Sequence, residues 1–286
     1  MIKLFTDTSA NLPHSLIEKH NITVIPFSYS VNGEEVPYDD KSDFDGKAFY
    51  DAMRAGGDVK TSMINTDAFF RGFEPCLAEG HDVLYIGMSG GISGTANAAA
   101  IAADELQGKY PNLNIAAVDT FAASLGEGLL VLDAAEMLER GMDFAAVVRT
   151  ILEKRNTMCQ YFTVDDLEYL KKGGRISGAA AFIGSVLSIK PLLKGDETGH
   201  IVLCGKSIGS KKALNTIAEK YDRLTAGREL RIGIAHADNP AGAEYVLNKL
   251  RGLGFSGECV TVCYEPVTGA HVGPGTVALF FPGTEK

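Results

Sequence analysis

The sequence predicts an α/β protein: a parallel sheet in its first half, then a second unit with a different pattern. Three observations carry this. Short apolar runs alternate with helix-spaced segments from Ile2 to Leu138, which is the pattern of a parallel sheet with helices on its faces. The 286 residues, at about 150 per domain, leave room for two ordinary domains. The alternation also changes character near residue 155.

In the first half, strands are predicted at Ile2–Phe5, Thr23–Val31, Val83–Met88 and Asn114–Val118. Helical spacing covers 12–19, 45–54, 67–77 with Thr66 placed to cap it, 96–106 and 124–138. In the second half, helices are expected at 144–154, 166–171, 211–221 and 241–250. Strands are expected at 159–164, 201–204, 230–235, 257–264 and 277–281. The apolar stretch 179–187 continues through Ile189–Leu193 past Pro191, and Gly173 and Gly174 break the element before it.

A formal charge of −9 argues against a nucleic-acid backbone or an anionic membrane as main partner. Cys76, Cys159, Cys204, Cys259 and Cys263 are scattered and odd in number, as expected of free thiols in a reducing compartment. Neither Cys-x-x-Cys nor a His–Cys cluster is present to hold zinc. The opening MIKLFTDTSA lacks a secretory pattern. The longest apolar run, 125–138, is interrupted by Glu127, Asp133 and Glu136. A cytoplasmic protein without membrane insertion is the expectation.

The sharpest local feature is Ser89–Thr95, where a buried-type strand ends in glycines and hydroxyls that open a helix. Glycine lets a ligand approach the backbone, and a helix N-terminus favours an anion. Ser93 or Thr95 could equally be a helix cap. The loop has no lysine, so it is not a G-x-x-x-x-G-K-S/T phosphate loop, and the G-x-G-x-x-G dinucleotide spacing is absent too. A weakly charged group such as one carboxylate suits it better than a triphosphate. Lys60-Thr61-Ser62 reads as a turn or cap, and Asp7, Thr8 and Ser9 as a cap for the next helix. Arg175 on its glycine turn reads as a solvated charge. His271, bracketed by glycines in a loop, could serve a ligand, and His236 reads as structural.

Taken in order, TDTSANLP, IPFSYSVNGEE with Tyr38-Asp-Asp40, KTS at 60–62, SGGISGTANAA, VDTFAASLGEG, FTVDDLEYLKKGGRIS, IKPLL and HVGPGT resemble the DegV family of bacterial fatty-acid-binding proteins, nearly end to end. The resemblance implies an N-terminal three-layer α/β/α domain with a parallel sheet, residues 1–155. It implies a C-terminal two-layer α/β domain with a mixed sheet, residues 156–286, the pair being similar to dihydroxyacetone-kinase-like proteins. It also implies a long-chain fatty acid in an apolar tunnel, with its carboxylate held by Thr61, Ser62, Ser93 and Thr95 and His271 beside it. Arg175 is linked to the carboxylate and to the encounter with a separate fatty acid kinase. That kinase makes acyl phosphate, so the chain itself is expected to be no enzyme and to carry no cofactor. Residues 179–193, Phe27, Phe121 and Phe280 could line the tunnel or simply fill the core.

Two segments depart from the family pattern. Met63-Ile64-Asn65 stands where Gln-Pro-Ser is common, and Lys206-Ser207-Ile208-Gly209 replaces a basic Lys-Val-Arg stretch. Two other readings remain open at this point: an enzyme, hydrolase or phosphoryl transferase, using Ser93, His271 and Arg175, or a lipid-sensing regulator. The missing nucleotide motif weighs against phosphoryl transfer.

Overall fold

The computed structural model describes residues 1–36, 44–176 and 188–286. In order, its first half contains β1 (Ile2–Asp7), α1 (His14–Lys19), β2 (Thr23–Ile25), β3 (Ser28–Val31), β4 (Glu34–Val36), α2 (Gly46–Arg54) and β5 (Val59–Ser62). Next come α3 (Thr66–Ala78), β6 (Asp82–Gly87), α4 (Thr95–Lys109), β7 (Ile115–Asp119), α5 (Leu125–Glu139) and α6 (Phe144–Lys154). The second half contains β8 (Met158–Thr163), α7 (Glu168–Lys172), β9 (Ile189–Gly195), β10 (Ile201–Ile208) and α8 (Ser210–Leu224). It ends with β11 (Ile232–His236), α9 (Pro240–Gly252), β12 (Cys259–Cys263), α10 (Pro266–Val272) and β13 (Val277–Pro282). The expected apolar stretch at 179–187, Ser177 of KGGRIS and Tyr38-Asp-Asp40 lie outside the described residues.

The predicted class is the observed one. Strands β2-β1-β6-β7 form a wholly parallel sheet, whose strands are apolar because both faces are covered. Strands β10-β9-β8-β13-β11-β12 form a second sheet, antiparallel except for the β11–β12 pair. Helices α3 and α4 cover one face of the parallel sheet through Phe69, Phe73 and Ala102 against Phe5 and Tyr85. Helices α8 and α9 cover the outer face of the mixed sheet, with Ile217, Tyr221 and Val246 against Leu279 and Phe281.

Between the two sheets lies α5. It packs on β1 and β6 on one side and on β8, β11 and β13 on the other, and its residues are buried around the whole helix. A helix enclosed in this way must be apolar all round. Leu129 and Leu132 accordingly belong to one continuous core with Leu84 and Ile86 of the parallel sheet and Phe162 and Phe280 of the mixed sheet.

Three local expectations are corrected. The predicted strand 23–31 is two strands in different sheets, broken at Pro26, which has no N–H for a ladder. Lys60–Ser62, read as a turn or cap, belongs to β5 of a small antiparallel sheet ordered β4-β3-β5. The cap of α3 is Asn65, which accepts from Ala68 N at 2.9 Å, and Thr66 is already helical. The cap at Asp7 is present: its carboxylate accepts from Ser9 N at 2.8 Å at the start of a short 3₁₀ turn.

That cap belongs to a fully buried network. Asp7 also accepts from Tyr85 Oη at 2.5 Å and from Met88 N at 3.4 Å. The Ser9 hydroxyl touches both Asp7 Oδ1 and, at 2.8 Å, Glu127 Oε2. Thr6 Oγ1 lies 3.1 Å from Glu127 Oε1 and 2.8 Å from Ile86 O. The Ser9 hydroxyl has one hydrogen for two carboxyl oxygens, so one carboxyl must itself donate. Asp7 already receives two backbone N–H groups and the Tyr85 hydroxyl, which suits an anion. Glu127 therefore carries the proton. Burial, reinforced by the Asp7 charge, pushes the Glu127 carboxyl well above its usual range. Glu127→Gln, which can donate as the acid does, is expected to change stability by less than about 1 kcal/mol. Glu127→Ala is expected to cost about 2–4 kcal/mol. Denaturant unfolding at pH 7 measures both, and equal losses would mean an ionised Glu127.

Candidate functional site

At the carboxyl ends of the parallel strands, where such sheets place ligands, a cavity opens toward the mixed sheet. Its walls are apolar: Phe27 after β2, Met88 after β6, Phe162 of β8, Phe280 of β13, and Tyr264 and Val267 around the start of α10.

One end of the cavity is polar. The β6–α4 loop is folded by Ser89, whose carbonyl accepts from Ser93 N at 3.1 Å and whose hydroxyl donates to Gly199 O at 2.9 Å in the β9–β10 turn. Ser93 lines the cavity, and its hydroxyl pairs with Thr95 Oγ1 at 2.9 Å. Thr95 is wholly buried behind it and accepts from Ile64 N at 3.3 Å. Thr95 therefore ties the loop to the segment following β5. On β5, Thr61 faces the cavity, while Ser62, its neighbour in an alternating strand, is exposed and outside the lining.

Thr61 Oγ1 lies 2.8 Å from His271 Nε2. His271 is in the last turn of α10, so the glycine-bracketed loop read from sequence is a short helix, capped by the Glu265 carboxyl on Val267 N and Thr268 N. The imidazole can sit there because residue 173 is glycine: a Cβ at that position would collide with His271 Nδ1. Arg175 follows on the same turn. Its Nε donates to Ile92 O at 3.2 Å and its Nη1 to Gly173 O, so the guanidinium joins the second half of the chain to the β6–α4 loop. It is not a free surface charge.

Burial, and after it the charge of Arg175, pulls the His271 imidazole down to about 4. It is neutral near pH 7. When its Nε2–H donates to Thr61 Oγ1, the Thr61 hydroxyl hydrogen is left to point at a ligand. The polar end thus offers two hydroxyl donors and one fixed cation, which matches a single carboxylate. Thr61, His271 and Arg175 also line an outer cleft together with Lys60, Lys172 and Tyr169. The same three side chains therefore face both the apolar cavity and the open side.

Of the residues singled out from sequence, Thr61, Ser93, Arg175 and His271 meet on one cavity, with Thr95 directly behind and Ser62 outside. Phe27 and Phe280 line it; Phe121 does not, its ring lying 4.0 Å from the Arg155 guanidinium. Sequence reading passed over Gln160. Its amide accepts from Ala123 N at 3.1 Å and donates to Phe121 O at 3.0 Å. It thereby holds the wall at 121–124, where Phe121 and Ser124 have left-handed φ of 53° and 51°. A glutamine within the otherwise apolar strand MCQYFT was the available signal. His236 is structural: its Nδ1 accepts from Asn239 N at 3.2 Å. Among the described residues, no group of three or more His, Cys, Asp or Glu could hold a metal ion, and no helix is long and apolar enough to cross a membrane.

Fold and site together define an α/β protein with an apolar cavity whose polar end is formed by Thr61, Ser93, Arg175 and His271. The profile of the DegV family matches residues 1–283. A DegV domain-containing protein of Clostridium perfringens is 38% identical over 284 residues, 99% of this chain and 98% of the relative. A fatty-acid-binding DegV family protein of Thermus thermophilus superposes with a TM-score of 0.87 at 31% identity, covering 98% of each chain. DegV of Bacillus subtilis, a fatty acid binding protein, superposes with a TM-score of 0.83 at 29% identity, again over 98% of each chain. The chain belongs to the DegV family.

The depressed His271 value makes a stability prediction. In the unfolded chain His271 protonates near 6.5, and in the folded protein near 4. The unfolded state therefore binds the proton first, and this contribution to stability is lost as pH falls from 6.5 to 4, by about 3 kcal/mol. Glu265, raised to about 7 chiefly by burial, acts in the opposite direction, losing stability as pH rises from 4.5 to 7. Comparison with His271→Gln separates the two. Between pH 6.5 and 4 the wild type should lose about 3 kcal/mol relative to the variant in denaturant titrations. Parallel pH profiles would show that the imidazole is not held neutral by the fold.

Proposed function

We propose that the protein binds one long-chain fatty acid, tail in the apolar cavity and carboxylate against Thr61, Ser93 and Arg175, with Thr95 and His271 orienting the two hydroxyls. The observation that carries this is the convergence of those side chains, from four separate stretches of sequence, on one end of an apolar cavity. The fatty-acid-binding relatives of T. thermophilus and B. subtilis support the same ligand class.

The energetics agree. Each buried methylene contributes about 0.8 kcal/mol, so the tail supplies affinity. A buried carboxylate is costly unless donors meet it, and Ser93, Thr61 and the guanidinium are such donors. Residues 1–155 supply Thr61, Ser93 and Thr95; residues 156–286 supply Arg175, His271 and much of the apolar wall. We read these as the two domains.

In this reading the protein is a carrier without a reaction of its own. The head group, held by side chains that also border the outer cleft, is displayed there to a separate fatty acid kinase for acyl-phosphate formation. Five free thiols and the acidic balance fit a cytoplasmic carrier. A hydrolase would need His271 to serve Ser93, and His271 is engaged by Thr61 instead. A lipid sensor would use the same site and differ only in its partner.

Denaturing the purified protein and analysing released lipid by mass spectrometry tests the ligand. Thr61→Val and Ser93→Ala should each weaken binding of added hexadecanoate about three- to tenfold. Arg175→Ala should weaken it about tenfold to a hundredfold. A lipid-free protein that also ignores hexadecanoate in calorimetry refutes the reading. Acyl-phosphate formation by the protein alone with ATP refutes the carrier role.

A further inference from the structure

Met63 stands at the polar end of the cavity. It lines the cavity beside Thr61 and Ser93, yet 49% of its surface remains exposed. Residues close to it in the chain are fixed. Thr61 is bonded to His271. Ile64 donates its N–H to Thr95 Oγ1, and its side chain is buried. The backbone at 63 is therefore held from both directions, and the side chain is the part that can move. A methionine side chain is unbranched, with three rotatable bonds and a polarisable sulfur that adapts to irregular surfaces.

Its resting place is defined by Gly94, just before α4. A Cβ there would stand 2.8 Å from the Met63 sulfur and 3.2 Å from its methyl carbon. The absence of a side chain at 94 lets the thioether lie against the start of α4, on the same cavity that Ser93 lines. Met63 thus borders the apolar cavity while about half of its surface meets solvent.

We infer that Met63 is the movable cover of the cavity mouth. Lying on Gly94 it closes the apolar space beside the head-group donors, and by rotating its own torsions it lets an acyl chain enter or leave while Thr61 and Ser93 stay in place. Its role is to set the rate of exchange more than the equilibrium affinity, because it must move aside for both entry and exit. This inference rests on the fatty-acid reading of the cavity.

The test is stopped-flow exchange of cis-parinaric acid, a fluorescent fatty acid, on delipidated full-length protein. Met63→Ala should speed both association and dissociation at least about threefold, with the dissociation constant changing less than either rate. Met63→Leu, which keeps most of the apolar volume, should stay near wild-type rates. Circular dichroism of both variants should match the wild type, since the side chain is half exposed. If wild type binds the probe and Met63→Ala exchanges at wild-type rates, the cover is overturned and the fatty-acid reading stands. If Met63→Ala changes affinity through dissociation alone, Met63 is a static contact and the cover is again overturned. If wild type does not bind the probe, the fatty-acid reading fails first and the cover with it.

Discussion

Helix α5 is enclosed by two sheets, and the architecture follows from that enclosure. An apolar helix with Leu129 and Leu132 directed at both sheets cannot be exposed on either side without losing a large part of the core. Burying it brings the carboxyl edge of the parallel sheet against the mixed sheet, and the cavity lies where those layers diverge. The one acid in its first turn, Glu127, is accommodated as a proton donor within the Asp7–Ser9–Thr6 network. That network anchors the helix to the parallel sheet close to the wall formed by Ala122, Ala123 and Ser124.

The cavity's polar end is solved with few charges. Three of its four polar side chains are neutral: two hydroxyls and an imidazole that burial holds unprotonated. The fourth, Arg175, has part of its hydrogen-bonding capacity tied to backbone carbonyls of Ile92 and Gly173, which fixes the guanidinium in place. Fixed donors lose little conformational freedom when a ligand arrives. The polar end is also shared with the outer cleft, so a head group bound there would have one apolar and one solvated side.

The fold was legible from sequence wherever periodicity and burial coincided. Helix α6 was predicted at its observed bounds, and β6, β8 and β13 within about a residue. Legibility failed where the partner decides the structure. Residues 60–62 carry turn-like chemistry and yet form β5, because β3 lies alongside to pair with them. The start of the glycine-bracketed segment Thr268–Gly275 looked like a loop and belongs to α10, because Glu265 caps that helix and the core buries Val267 and Val272. The Thr23–Val31 run looked like one strand because its apolar pattern does not record which sheet each half will join.

The sequence by itself determined the α/β class, most of the long helices and buried strands, and the glycine-and-hydroxyl loop at Ser89–Thr95, since these follow from local periodicity and turn chemistry. Only the tertiary structure decided that a cation does reach that loop: Arg175 lies 82 positions after Ser93 in the chain and arrives through the packing of the second half on the first. It likewise decided that Thr61 faces the cavity while Ser62 faces away, and that His271 serves Thr61. Such matters depend on which side chains meet across the layers, and that is fixed by burying α5 between the sheets.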